Sequence, residues 1–185
     1  MEADLSSFLA RDAAVVTESV AWGNPFRFHV ASYLCDEVPP LGFITSERGI
    51  VLVNGLVLVQ RDQDSLHILS GGRREAGEPP EATLHREVQE ETGWTLDSVS
   101  VLGFMHYHHL DPKPPDHPYP HPDFLQIVYA ARGMTCCPEA KLDDGYEIET
   151  RLLAAPNLQG FGLSQRELVY LDAALKANQQ FSDTP

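Results

Sequence analysis

The sequence predicts an α/β domain, and three observations point there. Apolar β-branched runs are punctuated by turn residues, a glutamate-rich helix is bounded by Pro79, Pro80 and Gly93, and a second helix carries its own N-terminal cap at Ser164. The 185 residues suffice for one domain with a substantial core. Hydrophobic residues make up 43% of the chain and charged residues 22%, an ordinary globular balance that excludes a fibrous or disordered chain.

Residues 4 to 12 read as a short helix, and "AVVTESVAWGNPFRFHVASYL" reads as two strands about the turn signal Gly23, Asn24 and Pro25. Pro39 and Pro40 then mark a linker. In "GIVLVNGLVLVQR" the pair Asn54 and Gly55 separates two apolar β-branched runs, the strongest short-range signal for a hairpin. "SLHILSGG" is a further strand ending at Gly71 and Gly72. A helix from about 80 to 92 follows, with prolines where a first turn tolerates them and Gly93 where a left-handed cap is needed. Strands are expected near 97 to 109, 123 to 132 and 146 to 154. The six prolines of "LDPKPPDHPYPHPD" force an extended loop between the first two. In the C-terminal helix Ser164 and Glu167 form a capping box, and Leu168, Leu171 and Leu175 mark one apolar face.

Twenty-seven acidic against 13 basic residues give a formal charge of -14, which disfavours stable association with nucleic acid or anionic lipid. The N-terminal stretch "MEADLSSFLARDAAVV" lacks the basic region and apolar run of a secretory leader, and no membrane span is expected. Cys35, Cys136 and Cys137 form no disulfide framework or zinc spacing, so idle thiols and a cytoplasmic setting are expected.

At 100° per residue, Glu87, Glu90 and Glu91 fall within roughly 100° of one helix side. Like charges at that spacing repel, so something positive belongs among them. Hard oxygen donors clustered this way suit Mg²⁺ or Mn²⁺, which retain waters and share their remaining positions with phosphates. Arg86 adjoins them and can pair bidentately with a carboxylate such as Glu78.

The run Gly72, five residues, Glu78, seven residues, then Arg86, Glu87, Val88, Gln89, Glu90, Glu91, Thr92, Gly93 and Trp94 resembles the Nudix box at every fixed position; only Trp94 departs, where aliphatic residues are commoner. The resemblance implies the family's α/β/α sandwich with a mixed sheet over residues 46–185. Residues 1–45 would be an N-terminal extension, a short helix and β-hairpin that in some members mediates dimerisation, so a homodimer is an expectation. It implies Mg²⁺- or Mn²⁺-dependent hydrolysis of a diphosphate bond in a nucleoside diphosphate linked to another group X, a small-molecule nucleotide substrate, by attack of water at phosphorus. Glu87, Glu90 and Glu91 would be the metal-binding and catalytic carboxylates, and the Gly71 carbonyl a further ligand. Gly72 and Gly77 would shape the loop, with Glu78, Arg86 and Gly93 as structural supports. Relatives draw an extra base or ligand from beyond the box, and Glu147 or Glu149 in "DDGYEIE" are the candidates here. A catalytically silent nucleotide sensor of the same fold is the alternative.

The substrate is read outside the box. Five histidines lie between His106 and His121, and Tyr107, His109, Lys113 and Tyr119 are the candidates for contact with a base or sugar. A rigid rim with incidental histidines is the competing expectation. The proline sixteen residues after the box that marks the ADP-ribose subgroup is Leu110 here, with Pro112 two residues later.

Overall fold

A computed structural model describes residues 2–22, 26–62, 65–142 and 148–182. The turn expected at Gly23, Asn24 and Pro25 lies outside them. The elements run α1 (Glu2–Leu9), β1 (Val16–Trp22), β2 (Phe26–Leu34), β3 (Ile44–Val53), β4 (Leu56–Arg61), β5 (Leu66–His67), α2 (Pro80–Thr92), β6 (Trp94–His109), β7 (Asp123–Cys136), β8 (Glu149–Leu153) and α3 (Gln165–Ser182). The expected strand at "SLHILSGG" shrinks to the two-residue β5. Its continuation binds the edge of β3 through isolated bridges at Ser70 and Arg73.

One mixed sheet carries the order β1-β2-β6-β7-β3-β4-β5, with β8 also paired to β4. Among the described residues only β3 and β7 run parallel, and every other pairing is antiparallel. Strand alternation sends Ile50, Leu52, Tyr107 and Val128 to one face, where Tyr170, Leu171 and Ala174 of α3 cover them. Val51, Val53, Ile127 and Tyr129 point to the other, under Leu84 and Val88 of α2 and Leu5 and Phe8 of α1. The α/β/α layering follows from burying both faces.

The N-terminal helix and hairpin are built into this domain. β2 pairs with β6 from Phe28 against His109 to Leu34 against Gly103. Arg166 on α3 donates to Glu18 at 2.9 Å, and Arg27 to Asp111 at 2.7 Å, tying the hairpin to α3 and to the proline-rich loop. Among the described residues no helix is long and apolar enough to cross a membrane.

The capping box at the start of α3 is formed, with the Ser164 hydroxyl donating to Glu167 at 2.7 Å. The buried face of α3 differs from the expected leucine stripe: Leu171 is buried, but Leu168 is 43% exposed and Tyr170 fully buried. Tyr170 rotates the helix inward because its hydroxyl donates to the backbone carbonyl of Phe104 at 2.7 Å, with that of Tyr33 at 3.2 Å. Removing the hydroxyl in Tyr170→Phe leaves those carbonyls without their donor. Urea denaturation is expected to show a loss of roughly 1–3 kcal/mol, and an unchanged midpoint would contradict the account.

Candidate active site

Pro80 opens α2 at its first turn, where a missing N–H costs nothing, and Gly93 closes it at φ 76°. Between them the helix presents its carboxylates to the loop that follows β5. Arg86 sits among them. Its Nε and Nη2 form a two-pronged bond with Glu78, both at 2.9 Å, while Nη1 donates to Glu87 at 2.7 Å and Glu90 at 3.0 Å. The remaining Nη2 bond, to the Arg73 carbonyl at 3.1 Å, ties the helix to the loop. Glu78 also accepts from the Thr83 hydroxyl at 2.7 Å and the Glu75 N–H at 3.2 Å. These bonds, Arg86 first, hold its carboxyl down at about 2, and Glu78 in turn holds Arg86 firmly protonated.

Glu91 faces another direction. It accepts from the Gly71 N–H at 2.9 Å and the Gln60 amide at 3.2 Å. The Gly71 carbonyl accepts from the Arg48 guanidinium. Gly71 adopts φ 125° against the Glu47 carbonyl, a position that any Cβ would overlap, and a Cβ on Gly72 would collide with the Glu87 carboxylate. The paired glycines therefore let the loop lie directly against β3 and α2. The sheet makes room for this, since β3 and β4 pair only at Leu52–Val57 and Val53–Leu56 before β4 turns to β8. Beyond that split the loop takes over the β3 edge: the Glu47 N–H donates to the Gly72 carbonyl at 3.0 Å, and Gly49 to Ser70 at 2.7 Å.

Among the described residues, no three Asp, Glu, His or Cys side chains stand close enough to hold a metal ion between them. Arg86 draws Glu87 and Glu90 together while Glu91 turns to Gly71. The donor types nevertheless suit a hard divalent ion: carboxylates and a carbonyl oxygen, bonded here to guanidinium, amide and backbone N–H donors.

Other residues singled out in the sequence lie in different places. Glu147 is outside the described residues. The Glu149 carboxylate is paired with Arg151 at 2.6 Å and Arg61 at 3.3 Å. Tyr107 is not available to a ligand: strand alternation buries it, and its ring stacks on Phe124 at 4.8 Å. Lys113 is exposed. His106 and His108 point to the opposite side of β6, where both bond Asp123 Oδ1 at 2.8 Å. His109 and Tyr119 line a cavity with Trp22, Phe28, Arg73 and Gln126.

Two further residues were not anticipated. Gln126, a lone amide inside the apolar run "FLQIVYA", was one signal available. The other is Glu47, which shares a strand face with Val51 and Val53 and lies fully buried, both carboxyl oxygens unpartnered. Burial, outweighing the nearby Arg74 charge, pushes its carboxyl up to about 8, so it is protonated at neutral pH and adds no charge beside Glu78 and Glu87.

Residues 42–154 match the NUDIX domain family. The chain belongs to the Nudix hydrolase family. Its fold is similar to that of a variant of a Bacillus subtilis pyrophosphohydrolase, at TM-score 0.57 and 18% identity, covering 91% of this chain and 99% of that one. It is also similar to a Nudix hydrolase from Nitrosomonas europaea, at TM-score 0.56 and 15% identity over 72% and 90% of the two chains. A third likeness is to a Nudix-family hydrolase from Clostridium perfringens, at 0.51 and 18% over 75% and 99%. At these identities the likeness is one of fold. No protein of curated function matches the sequence.

Glu47 generates a prediction about pH. A carboxyl whose folded value is raised from 4.5 to about 8 contributes stability below pH 4.5 that is lost as pH rises through 8. A tenfold change in a protonation equilibrium corresponds to about 1.4 kcal/mol, so the fall is on the order of a few kcal/mol. Glu47→Gln, which resembles the protonated acid, is expected to flatten this slope in urea titrations run from pH 4.5 to 8 with chelator present. Parallel curves for the two proteins would refute the buried neutral acid.

Proposed function

We propose that the protein hydrolyses a diphosphate bond in a nucleoside diphosphate linked to another group X, using Mg²⁺ or Mn²⁺, through attack of water at phosphorus. The observation that supports this reading is the set of box carboxylates on α2, Glu87 and Glu90 bonded to Arg86 and Glu91 to the N–H of Gly71, the residue whose carbonyl is bonded to Arg48. Family membership supports it, because Nudix hydrolases are generally dependent on a divalent metal.

In this reading Glu87, Glu90, Glu91 and the Gly71 carbonyl hold the ion. A bound divalent ion neutralises the diphosphate and lowers the pKa of a coordinated water. The protein's own part is positional and protic. Arg86, anchored by Glu78, keeps Glu87 and Glu90 together and fixes the loop through the Arg73 carbonyl. Gln60 and the Gly71 N–H orient Glu91. One of the box carboxylates accepts the proton of the attacking water, with Glu147 as a further candidate for that role. The homodimer implied by the N-terminal hairpin is part of the same proposal. Sedimentation at twice the chain mass of 20.5 kDa would support it, and a monomer would remove it.

Glu90→Gln retains the size of the side chain and removes its charge. Turnover of the responsive substrate is expected to fall by two or more orders of magnitude with little change in unfolding midpoint. The substrate panel comprises nucleoside triphosphates, nucleotide sugars, ADP-ribose and dinucleoside polyphosphates, each with Mg²⁺ and with chelator. Full Mg²⁺-dependent activity in the variant would overturn the site assignment. A folded protein that binds nucleotide but cleaves nothing on the panel would favour the silent sensor.

A further inference from the structure

Two guanidiniums bond the groups that would hold the ion, and they are anchored differently. Arg86 reaches Glu87 and Glu90 while its other edge is locked into the two-pronged bond with Glu78, so its charge is matched and its position fixed. Arg48 donates to the Gly71 carbonyl and, among the described residues, to no carboxylate. In a chain with 27 acidic side chains, a part-buried arginine lacking an acid partner is conspicuous, because charged groups leave water readily only when paired.

The backbone explains why the bond exists. Gly71 belongs to no strand, and among the described residues no backbone N–H serves its carbonyl. Its own N–H is taken by Glu91 at 2.9 Å. The Gly71 peptide is thus held from both ends, by a carboxylate on α2 and by a guanidinium on β3. A divalent cation would keep the first partner and not the second. A carbonyl oxygen has two lone pairs, but a guanidinium and an ion sharing it would stand at contact distance, where like charges repel most.

Arg48 is free to withdraw. Its backbone is fixed in the parallel ladder, paired with Val128, so only the side chain needs to move. Ser46, one pleat repeat away on the same face of β3, has a buried hydroxyl without a partner, an acceptor left unspent.

We infer that Arg48 is a latch on the metal-free site: its guanidinium takes the ion's place at the Gly71 carbonyl and has to release that oxygen before a divalent cation binds it. The inference rests on the reading in which the Gly71 carbonyl is an ion ligand, and adds the residue that sets how tightly the ion is held. Arg48 is a positioning residue, since it acts through the Gly71 peptide. Arg86 has no such freedom, because Glu78 keeps it in place.

The sign of the effect separates a latch from a structural support. Losing a support loosens a metal site, whereas losing a competitor tightens it. Mn²⁺ is titrated into the full chain and read as broadening of the Glu87, Glu90 and Glu91 amide signals, with Mg²⁺ as competitor and circular dichroism confirming the fold. Arg48→Met, which retains the apolar stem, is expected to bind the ion about tenfold more tightly than the unaltered protein. Arg73→Met removes a guanidinium from the same loop, one that bonds the Tyr119 hydroxyl rather than a candidate ligand, and is expected to change the affinity about twofold or less. Unchanged or weaker binding by Arg48→Met, or equal tightening in both variants, would overturn the latch while leaving the ion reading intact. The unaltered chain gives a second measurement. As Mg²⁺ saturates, the Gly71 carbonyl carbon and the Arg48 Nε–H signals should shift with the same midpoint as the Glu87 and Glu90 amides. An Arg48 signal that stays fixed at saturation would likewise overturn the latch. No saturable response at the box carboxylates in any of the three proteins would remove the ion site itself, and the latch with it.

Discussion

The site depends on one guanidinium. Glu78, Glu87 and Glu90 bring three negative charges to one end of α2 and the preceding loop, and Arg86 bonds all three while reaching the Arg73 carbonyl. Arginine is suited to this because its planar fork serves several oxygens at once and does not deprotonate. Without it, like charges a helical turn apart would repel. The pairing with Glu78 takes up one side of the fork, and the other side draws Glu87 and Glu90 together. Glu47 contributes by restraint: buried and protonated beneath the helix, it avoids adding a fourth charge.

The split in the sheet gives this charge cluster its setting. After two residue pairs β4 departs from β3 toward β8, and the glycine loop occupies the vacated edge. Only glycine fits at position 71, where the Glu47 backbone carbonyl stands too close for any Cβ, and a Cβ at position 72 would displace the Glu87 carboxylate. The Gly71 peptide consequently presents its N–H to Glu91 and its carbonyl to Arg48. An aromatic cavity opens next to this loop, with Arg73 in its wall.

Local features were legible in the sequence because local chemistry determines them. Asn54 and Gly55 make the hairpin turn at φ 50° and 79°, Pro80 and Gly93 bound α2, and Ser164 with Glu167 caps α3. The family was legible because the box is a spacing rule over a continuous run. Long-range packing was not legible. Leu168 looked like part of the α3 stripe, but the hydrogen bonds of Tyr170 to β2 and β6 set the rotation of the helix. Tyr107 was a candidate for contact with a base or sugar, whereas it occupies an inward position on β6. The cavity joins Trp22, Gln126 and His109 across three strands, and no linear pattern announces such an assembly.

The most direct test of the central claim is paramagnetic broadening by Mn²⁺ of the amide signals of the substrate-free protein. The account predicts saturable broadening centred on Gly71, Glu87, Glu90 and Glu91, and competed away by Mg²⁺. Broadening centred on another acidic surface, or none at millimolar Mn²⁺, would contradict it.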